Sequence, residues 1–242
     1  MVVIHQESGF RMRGSGEISR IEGFTDAVFA FAVTLLVVSL EVPKTFTELQ
    51  SMMRGFIAFA IGFALLFYLW YEQYKFFRRY GLSDSITMVL NGLLVFVVLF
   101  FVYPLKFLFT FLVTAFTGGH LNVHLHDGTT APMIEVGQVA SMMVVYGVGY
   151  VSVYAVFAML YAHALRKRAD LDLNELELFD TRASLREALV QVGIGVVSLA
   201  FALSPLRNAG AFSGFTYMLI GPLMATHGVM SGRNRRRRFA GL

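Results

Sequence analysis

The chain has 242 residues, of which 56% are hydrophobic and only 15% are charged. Its mean hydropathy of +0.63 is too high for a soluble domain and indicates a protein that crosses a membrane several times. The formal net charge of +4 does not by itself indicate a nucleic-acid partner, because basic residues collect in the cytoplasmic loops of membrane proteins. The absence of cysteine excludes disulfides, thiolate metal sites and cysteine nucleophiles.

Six apolar runs are long enough to cross a bilayer, whose hydrocarbon core of roughly 30 Å needs about 20 helical residues. They cover about 20–43, 51–79, 85–116, 134–165, 184–204 and 210–231. Pro104 lies inside the third run and is expected to kink or end that helix, because proline has no amide hydrogen to donate. The stretches 118–132 and 169–180 are predicted to be loops. These features predict an all-α membrane protein with six transmembrane helices per subunit.

Lysine and arginine are distributed unevenly between the two sides of this predicted domain. They collect in the N-terminal segment, after the second and fourth runs, and in the stretch 233–238. By the positive-inside rule, both termini are expected to be cytoplasmic. The predicted organisation is an N-terminal tail over 1–19, a six-helix transmembrane domain over 20–232 and a basic tail over 233–242. We interpret that basic tail as a cytoplasmic anchor near anionic lipid.

The first apolar run carries an acid, Asp26, near its start. Acids inside a membrane are costly and are usually paired or functional, so this run is the first candidate for a functional element. At 100° per residue, one stripe of the helix is apolar with Thr34 at its edge, whereas Glu22, Thr25 and Asp26 point largely the other way. The stripe consists of Ala27, Phe31, Leu35 and Val38. We interpret the polar face as hydrogen-bonded to neighbouring helices. The apolar stripe would then face something other than those helices.

The first apolar run resembles the first helix and the R-x-x-x-F-S-D signature of the lysosomal potassium channel family, transmembrane protein 175. The matching residues are Arg20-Ile-Glu-Gly-Phe-Thr-Asp-Ala-Val-Phe-Ala-Phe-Ala-Val-Thr-Leu-Leu-Val. Thr25 stands where the family usually has serine, and it keeps the hydroxyl. A weaker likeness to the third helix of the family continues in Asn91-Gly-Leu-Leu-Val-Phe-Val-Val-Leu-Phe-Phe-Val-Tyr-Pro104, and Trp70 suits the second helix.

This resemblance implies a multi-pass potassium channel of a prokaryotic plasma membrane. The motif occurs once in the chain, as in prokaryotic members, which form homotetramers with the first helices lining a central pore. A ring of four identical helices can enclose a pore, whereas a single helix cannot. The pore constriction of the family matches Phe31, Leu35 and Val38, where apolar rings exclude water and ions by dewetting. Phe31 departs from the isoleucine or leucine that is usual at its position.

Thr34 matches a family threonine that is implicated in potassium selectivity, and its hydroxyl can replace part of the ion's hydration shell. The sequence has no Thr-Val-Gly-Tyr-Gly filter, so the preference for potassium over sodium is expected to be modest. Spacing alone leaves two alternatives open. The stripe can serve ordinary helix packing, and the Thr34 hydroxyl can bond back to a carbonyl one turn earlier.

The other motif residues are interpreted as a network that fixes the first helix in place. They are Arg20, Phe24, Thr25, Asp26, Trp70 and Asn91. Asp26 needs hydrogen-bond donors, because an unpaired carboxylate within the membrane is strongly unfavourable. The candidate donors are Arg20, the Trp70 indole, Gln73 and Asn91.

Two further sets of residues each allow two interpretations. Four copies of Glu41 would ring the pore mouth and concentrate cations, but the residue is equally well explained as a solvated interfacial acid. His120, His124 and His126 are zinc-ligand types, but their spacing matches no standard site. We therefore expect an ordinary polar loop there and no metal site.

The sequence carries no hydrolase or phosphate-loop signature, so an enzyme is not predicted. No cofactor is expected, and potassium is the expected permeant ion. The expected partners are further copies of the chain in a homotetramer, potassium ions and membrane lipid, without nucleic acid. Two other functions stay open: a proton-coupled transporter that titrates Asp26, and a non-conducting membrane scaffold.

Overall fold

The computed structural model describes residues 10–14, 19–38, 44–116, 121–124 and 128–239. This part of the chain is mainly helical, which confirms the predicted all-α class, and it also contains one short antiparallel hairpin. In chain order, the elements are α1 (Arg20–Val38), α2 (Phe46–Tyr80), α3 (Ser85–Phe116), β1 (Asn122–His124), β2 (Thr130–Pro132), α4 (Val139–Arg166), α5 (Glu175–Ala202), α6 (Ala209–Tyr217) and α7 (Ile220–Phe239).

Four segments of the described residues are helices long and apolar enough to cross a membrane. They are Phe56–Tyr80, Ser85–Phe116, Val139–Arg166 and Glu175–Ala202. α1 begins at Arg20, as predicted, and residues 39–43 at the predicted end of that span lie outside the described part. α3 runs through Pro104, so the proline does not end this helix. The total of six crossings stays a prediction.

The start of α5 differs from the predicted start at 184. α5 begins at Glu175, so the predicted loop over 169–180 is wrong in its second half. The cause is a capping box: the Asn174 side chain accepts from the Glu177 amide at 2.9 Å, and the Glu177 carboxylate accepts from the Asn174 amide at 3.0 Å. These bonds satisfy backbone donors that a helix start leaves free. The first turns of α5 are charged, which is why apolarity alone places its start too late.

The sixth predicted span, 210–231, is not a single helix, because α6 and α7 are separated at 218–219. Pro222 explains the break: it cannot donate to the carbonyl of Met218, and its ring would clash with that carbonyl in a continuous helix. The amides of Met218 and Leu219 bond instead to carbonyls three residues earlier, at 3.0 and 3.1 Å. α7 then continues beyond the predicted end at 231.

A short hairpin lies inside the predicted loop over 118–132. β1 pairs antiparallel with β2, and Val123 lies opposite Ala131. His120, His126 and the His124 side chain fall outside the described part of the chain. Among the residues that are described, no group of three or more potential metal ligands comes together.

α1 packs against α2 and α3 through one buried face. That face consists of Thr25, Phe29, Ala32 and Leu36. Its members recur every three or four residues and therefore share one side of the helix. Gly62 of α2 lies against this face, since a Cβ at Gly62 would be 3.4 Å from the Leu36 side chain. One side of α1 is therefore fastened within the helical bundle.

Residues 10–14, which belong to the predicted N-terminal tail, pack against the ends of α2 and α5. Phe10 is buried and its ring meets the ring of Tyr80 edge-on at 5.7 Å. The Glu177 side chain is 0% exposed and accepts from Arg11 at 3.0 Å and from Arg13 at 2.6 Å. This stretch of the tail is therefore a docked segment held by a buried carboxylate.

The turn between α2 and α3 lies beside this docked segment. Gly81 has a φ of +59°, and a Cβ there would be 2.8 Å from the Arg13 carbonyl oxygen, so the position requires glycine. Asp84 caps α3 by accepting from the Thr87 amide at 2.9 Å, and it bonds to the His163 ring of α4 at 2.7 Å. Burial raises the pKa of Asp84, but these hydrogen bonds outweigh it and hold the pKa below its ordinary value. The ionised Asp84 therefore links α3 to α4 at neutral pH.

Candidate pore-lining face of the first helix

The face of α1 opposite its buried side is uncovered in the described part of the chain. Its exposed residues are Arg20, Phe24, Ala27, Phe31 and Thr34. Phe31 has 55% of its surface exposed, so the single chain leaves most of this ring uncovered. The next residue on this stripe by helical spacing is Val38, whose side chain lies outside the described residues.

Leu35 lies at the edge of the exposed stripe. It is only partly buried, yet it packs against the hydrophobic core of its own chain. Thr34, in contrast, is exposed. The uncovered face is therefore centred nearer to Thr34 than the predicted stripe, which had Leu35 on its line and Thr34 at its edge.

The Thr34 hydroxyl donates to the Phe31 carbonyl oxygen at 2.7 Å. This is the bond to a carbonyl of the preceding turn that helical spacing left open as an alternative to a role in selectivity. It uses the only hydrogen of the hydroxyl, and the oxygen keeps lone pairs that can accept or coordinate. In this rotamer, Thr34 can offer an oxygen to a cation but no hydrogen-bond donor.

The buried side of α1 is joined to α2 and α3 by a polar chain. Asn91 donates to the Thr25 hydroxyl at 2.7 Å, and Gln73 donates to the Asn91 amide oxygen at 3.2 Å. The Thr25 hydroxyl in turn donates to the Ile21 carbonyl at 2.8 Å. These side chains are nearly inaccessible, so each hydrogen bond replaces contacts with water that the membrane could not supply.

Asp26 accepts a hydrogen bond from the Trp70 indole at 2.7 Å. The carboxylate is otherwise exposed and faces an open groove between α1 and α2. Of the other candidate donors, Gln73 and Asn91 are used in the chain to Thr25. The structure thus brings Thr25, Asp26, Trp70 and Asn91 into contacts between helices, whereas Arg20 and Phe24 lie exposed at the start of α1.

Sequence reasoning missed a contact at the other end of α1. The Lys106 ammonium of α3 donates to the Leu36 carbonyl oxygen at 3.1 Å. A basic residue inside a predicted span, two positions after Pro104, was the available signal, because charged residues are rare there. Glu41, the predicted mouth residue, lies outside the described part of the chain.

Comparison with known proteins shows which family the chain belongs to. The family profile described as endosomal/lysosomal potassium channel TMEM175 matches residues 20–102. A potassium channel of Marivirga tractuosa is 39% identical over 238 residues, which are 97% of this chain and 96% of that protein. The chain belongs to the TMEM175 family. The resemblance predicted from the first helix is confirmed.

Two solved structures extend the likeness to the fold of this TMEM175 family member. One is a crystal structure of a threonine-to-alanine variant of the potassium channel MtTMEM175, in complex with a nanobody–MBP fusion protein. It matches with a TM-score of 0.81 and 38% identity over 94% of this chain and 99% of that chain. The lysosomal potassium-selective channel TMEM175 homolog from Chamaesiphon minutus matches with a TM-score of 0.53 and 23% identity, over 88% and 96% of the two chains, and supports the fold alone.

Proposed function

We propose that this TMEM175 family member conducts potassium passively through a pore that four copies build around a common axis. The exposed face of α1 carries this proposal. One side of the helix is fastened by Thr25 and its partners, while Ala27, Phe31 and Thr34 are left uncovered in a single chain. A symmetric ring of four such faces would enclose a conduit.

The proposed constriction consists of rings of Phe31, Leu35 and Val38. A narrow apolar neck loses its water and then opposes the passage of ions until it widens. Thr34 would supply the polar layer, with its free oxygen lone pairs replacing part of the hydration shell of potassium. Such a layer discriminates weakly between potassium and sodium, in keeping with a modest preference. Glu41 is proposed to ring the mouth and attract cations.

The motif residues on the other side of α1 have a supporting role in this proposal. The contacts Asn91–Thr25 and Trp70–Asp26 hold α1 against α3 and α2 without placing their polar groups in the proposed conduit. They determine the rotation of α1 about its axis and therefore which residues face the pore. Arg20 and Phe24 would extend the exposed face towards the N-terminal end of α1.

The proposal is tested by potassium flux from liposomes that contain the purified protein. The chain has no cysteine, so Thr34→Cys places a single thiol on the proposed pore face. We expect a cationic methanethiosulfonate reagent to lower the flux of this variant to about a tenth or less, because a bound positive charge would repel cations in the conduit.

Phe96→Cys is the matched control, since Phe96 is exposed on α3. Its flux and the flux of the wild type should not respond to the reagent. The mass of the detergent-solubilised particle should correspond to four chains. The proposed pore would be refuted if the reagent did not lower the flux of Thr34→Cys, or if folded wild type gave no flux.

A proton-coupled transporter is the second candidate, because Asp26 is exposed in a groove between two helices. Asp26→Asn separates the two functions. The amide oxygen of asparagine can still accept from Trp70, so a channel should keep its flux within about twofold and remain independent of a proton gradient. A transporter should lose coupling between proton and substrate movement in the same flux assay. A scaffold, in contrast, should show no flux in either form.

A further inference from the structure

Lys106 is a cationic residue within a helix long and apolar enough to span the membrane. It lies in the second half of α3 and is partly buried. An ionisable side chain at such a place is costly and usually marks a functional contact whose partner can be named. One hydrogen bond of its ammonium goes to a backbone atom of the first helix, the Leu36 carbonyl oxygen at 3.1 Å.

The Leu36 carbonyl lies in the C-terminal part of α1 as it is described, two residues before Val38. A backbone carbonyl oxygen has two lone pairs, so it can accept from a side chain as well as from a backbone amide. A lysine ammonium is a suitable partner, because it supplies three hydrogen-bond donors and a positive charge. The contact joins residues that lie 70 positions apart in the sequence and fastens this part of α1 to α3.

The part of α3 that carries Lys106 is joined to α4. The Tyr146 hydroxyl of α4 donates to the Pro104 carbonyl at 2.5 Å. The Leu36 side chain is 2% exposed and packs near Gly62 and Phe109. The ammonium therefore reaches α1 from a segment that is joined to α4, at a point where the helices are closely packed.

We infer that Lys106 is a positioning residue for the proposed pore. Its ammonium holds α1 at Leu36 and thereby keeps Thr34, Leu35 and Val38 in register around the conduit. This inference rests on the proposed function only for its effect on flux. The positioning of α1 can be measured separately.

The experiment compares wild type with Lys106→Met by hydrogen exchange in lipid nanodiscs. We expect amides in a peptide covering 32–40 to exchange about tenfold faster in K106M, with residues 20–28 unchanged, because the hydrogen bond from a charged donor is lost at Leu36 and not near residues 20–28. Lys167→Met removes a charge at the far end of α4, where Lys167 pairs with Asp84, and should leave the 32–40 peptide unchanged.

Flux from liposomes supplies the functional readout. K106M should raise the resting potassium leak and lower the preference for potassium over sodium, whereas Lys106→Arg, which keeps a cation, should restore both towards wild type. Unchanged exchange over 32–40, or an equal increase along all of α1, would overturn the inference. If K106M does not fold, Lys106→Leu is judged by the same comparison of peptides. Absence of flux in wild type would refute the pore, while the exchange data would still decide the role of Lys106.

Discussion

Replacing Phe31 by alanine is expected to raise the resting potassium flux by about tenfold or more. Phe31 is 55% exposed in the single chain, so its removal leaves no cavity in the core. In the proposed tetramer, the substitution removes four aromatic rings from the apolar neck and makes the neck easier to wet. A tenfold change needs only about 1.4 kcal/mol less barrier to ion passage. Potassium efflux from liposomes at matched protein content measures this effect.

The matched control for this prediction is Phe96→Ala, which removes the same ring from an exposed position on α3. Its flux should equal that of the wild type. Phe31→Leu should give an intermediate flux, since leucine restores an apolar side chain of smaller size. Equal flux in Phe31→Ala and wild type would show that Phe31 does not line the conduit.

The combined substitution Arg11→Ala and Arg13→Ala is expected to destabilise the fold by about 3–5 kcal/mol, because it leaves a buried carboxylate without its two cationic partners. The Glu177 side chain is 0% exposed, and both arginines bond to it in the described structure. For a chain of this length, such a loss lowers the midpoint of thermal unfolding by roughly 10 °C. Thermal unfolding in detergent, followed by circular dichroism, measures the shift.

Two further variants make this test specific. Arg182→Ala with Arg186→Ala removes two arginines that are exposed on α5 and should change the midpoint little. Adding Glu177→Gln to the double arginine variant should recover part of the loss, because the buried charge is removed. A similar midpoint for both double variants would show that the docked segment contributes no more than surface charge does.

Much of the helical framework could be predicted because apolar runs are a local property of the sequence. The third predicted span, 85–116, coincides with α3, and the second ends within one residue of α2. Two features that a search for apolar runs does not detect change the bounds of the predicted spans. The capping box at Asn174 extends α5 into a charged stretch, and Pro222 divides the sixth span. Both residues were visible in the sequence.

The residues of the candidate site were easier to predict than the hydrogen bonds between them. Spacing placed Thr25 and Asp26 on the polar face of α1, and the family resemblance added Trp70 and Asn91. The pairing of Asp26 with Trp70 and of Thr25 with Asn91 depends on how three helices cross. The sequence offered Asn91 as a candidate donor to Asp26, whereas in the structure Asn91 donates to Thr25, because the register of α3 against α1 brings those two side chains together.

The sequence by itself determined that this is a helical membrane protein of the TMEM175 family, and it placed Thr25 and Asp26 away from Phe31 on α1. These follow from composition, motif and the helical period, all of which are properties of neighbouring residues. Tertiary structure alone decided that Thr34 is uncovered while Leu35 packs inward, that Lys106 reaches Leu36, and that Arg11 and Arg13 bury Glu177. Those contacts join distant parts of the chain, so they depend on the crossing and rotation of packed helices, which a local pattern does not specify.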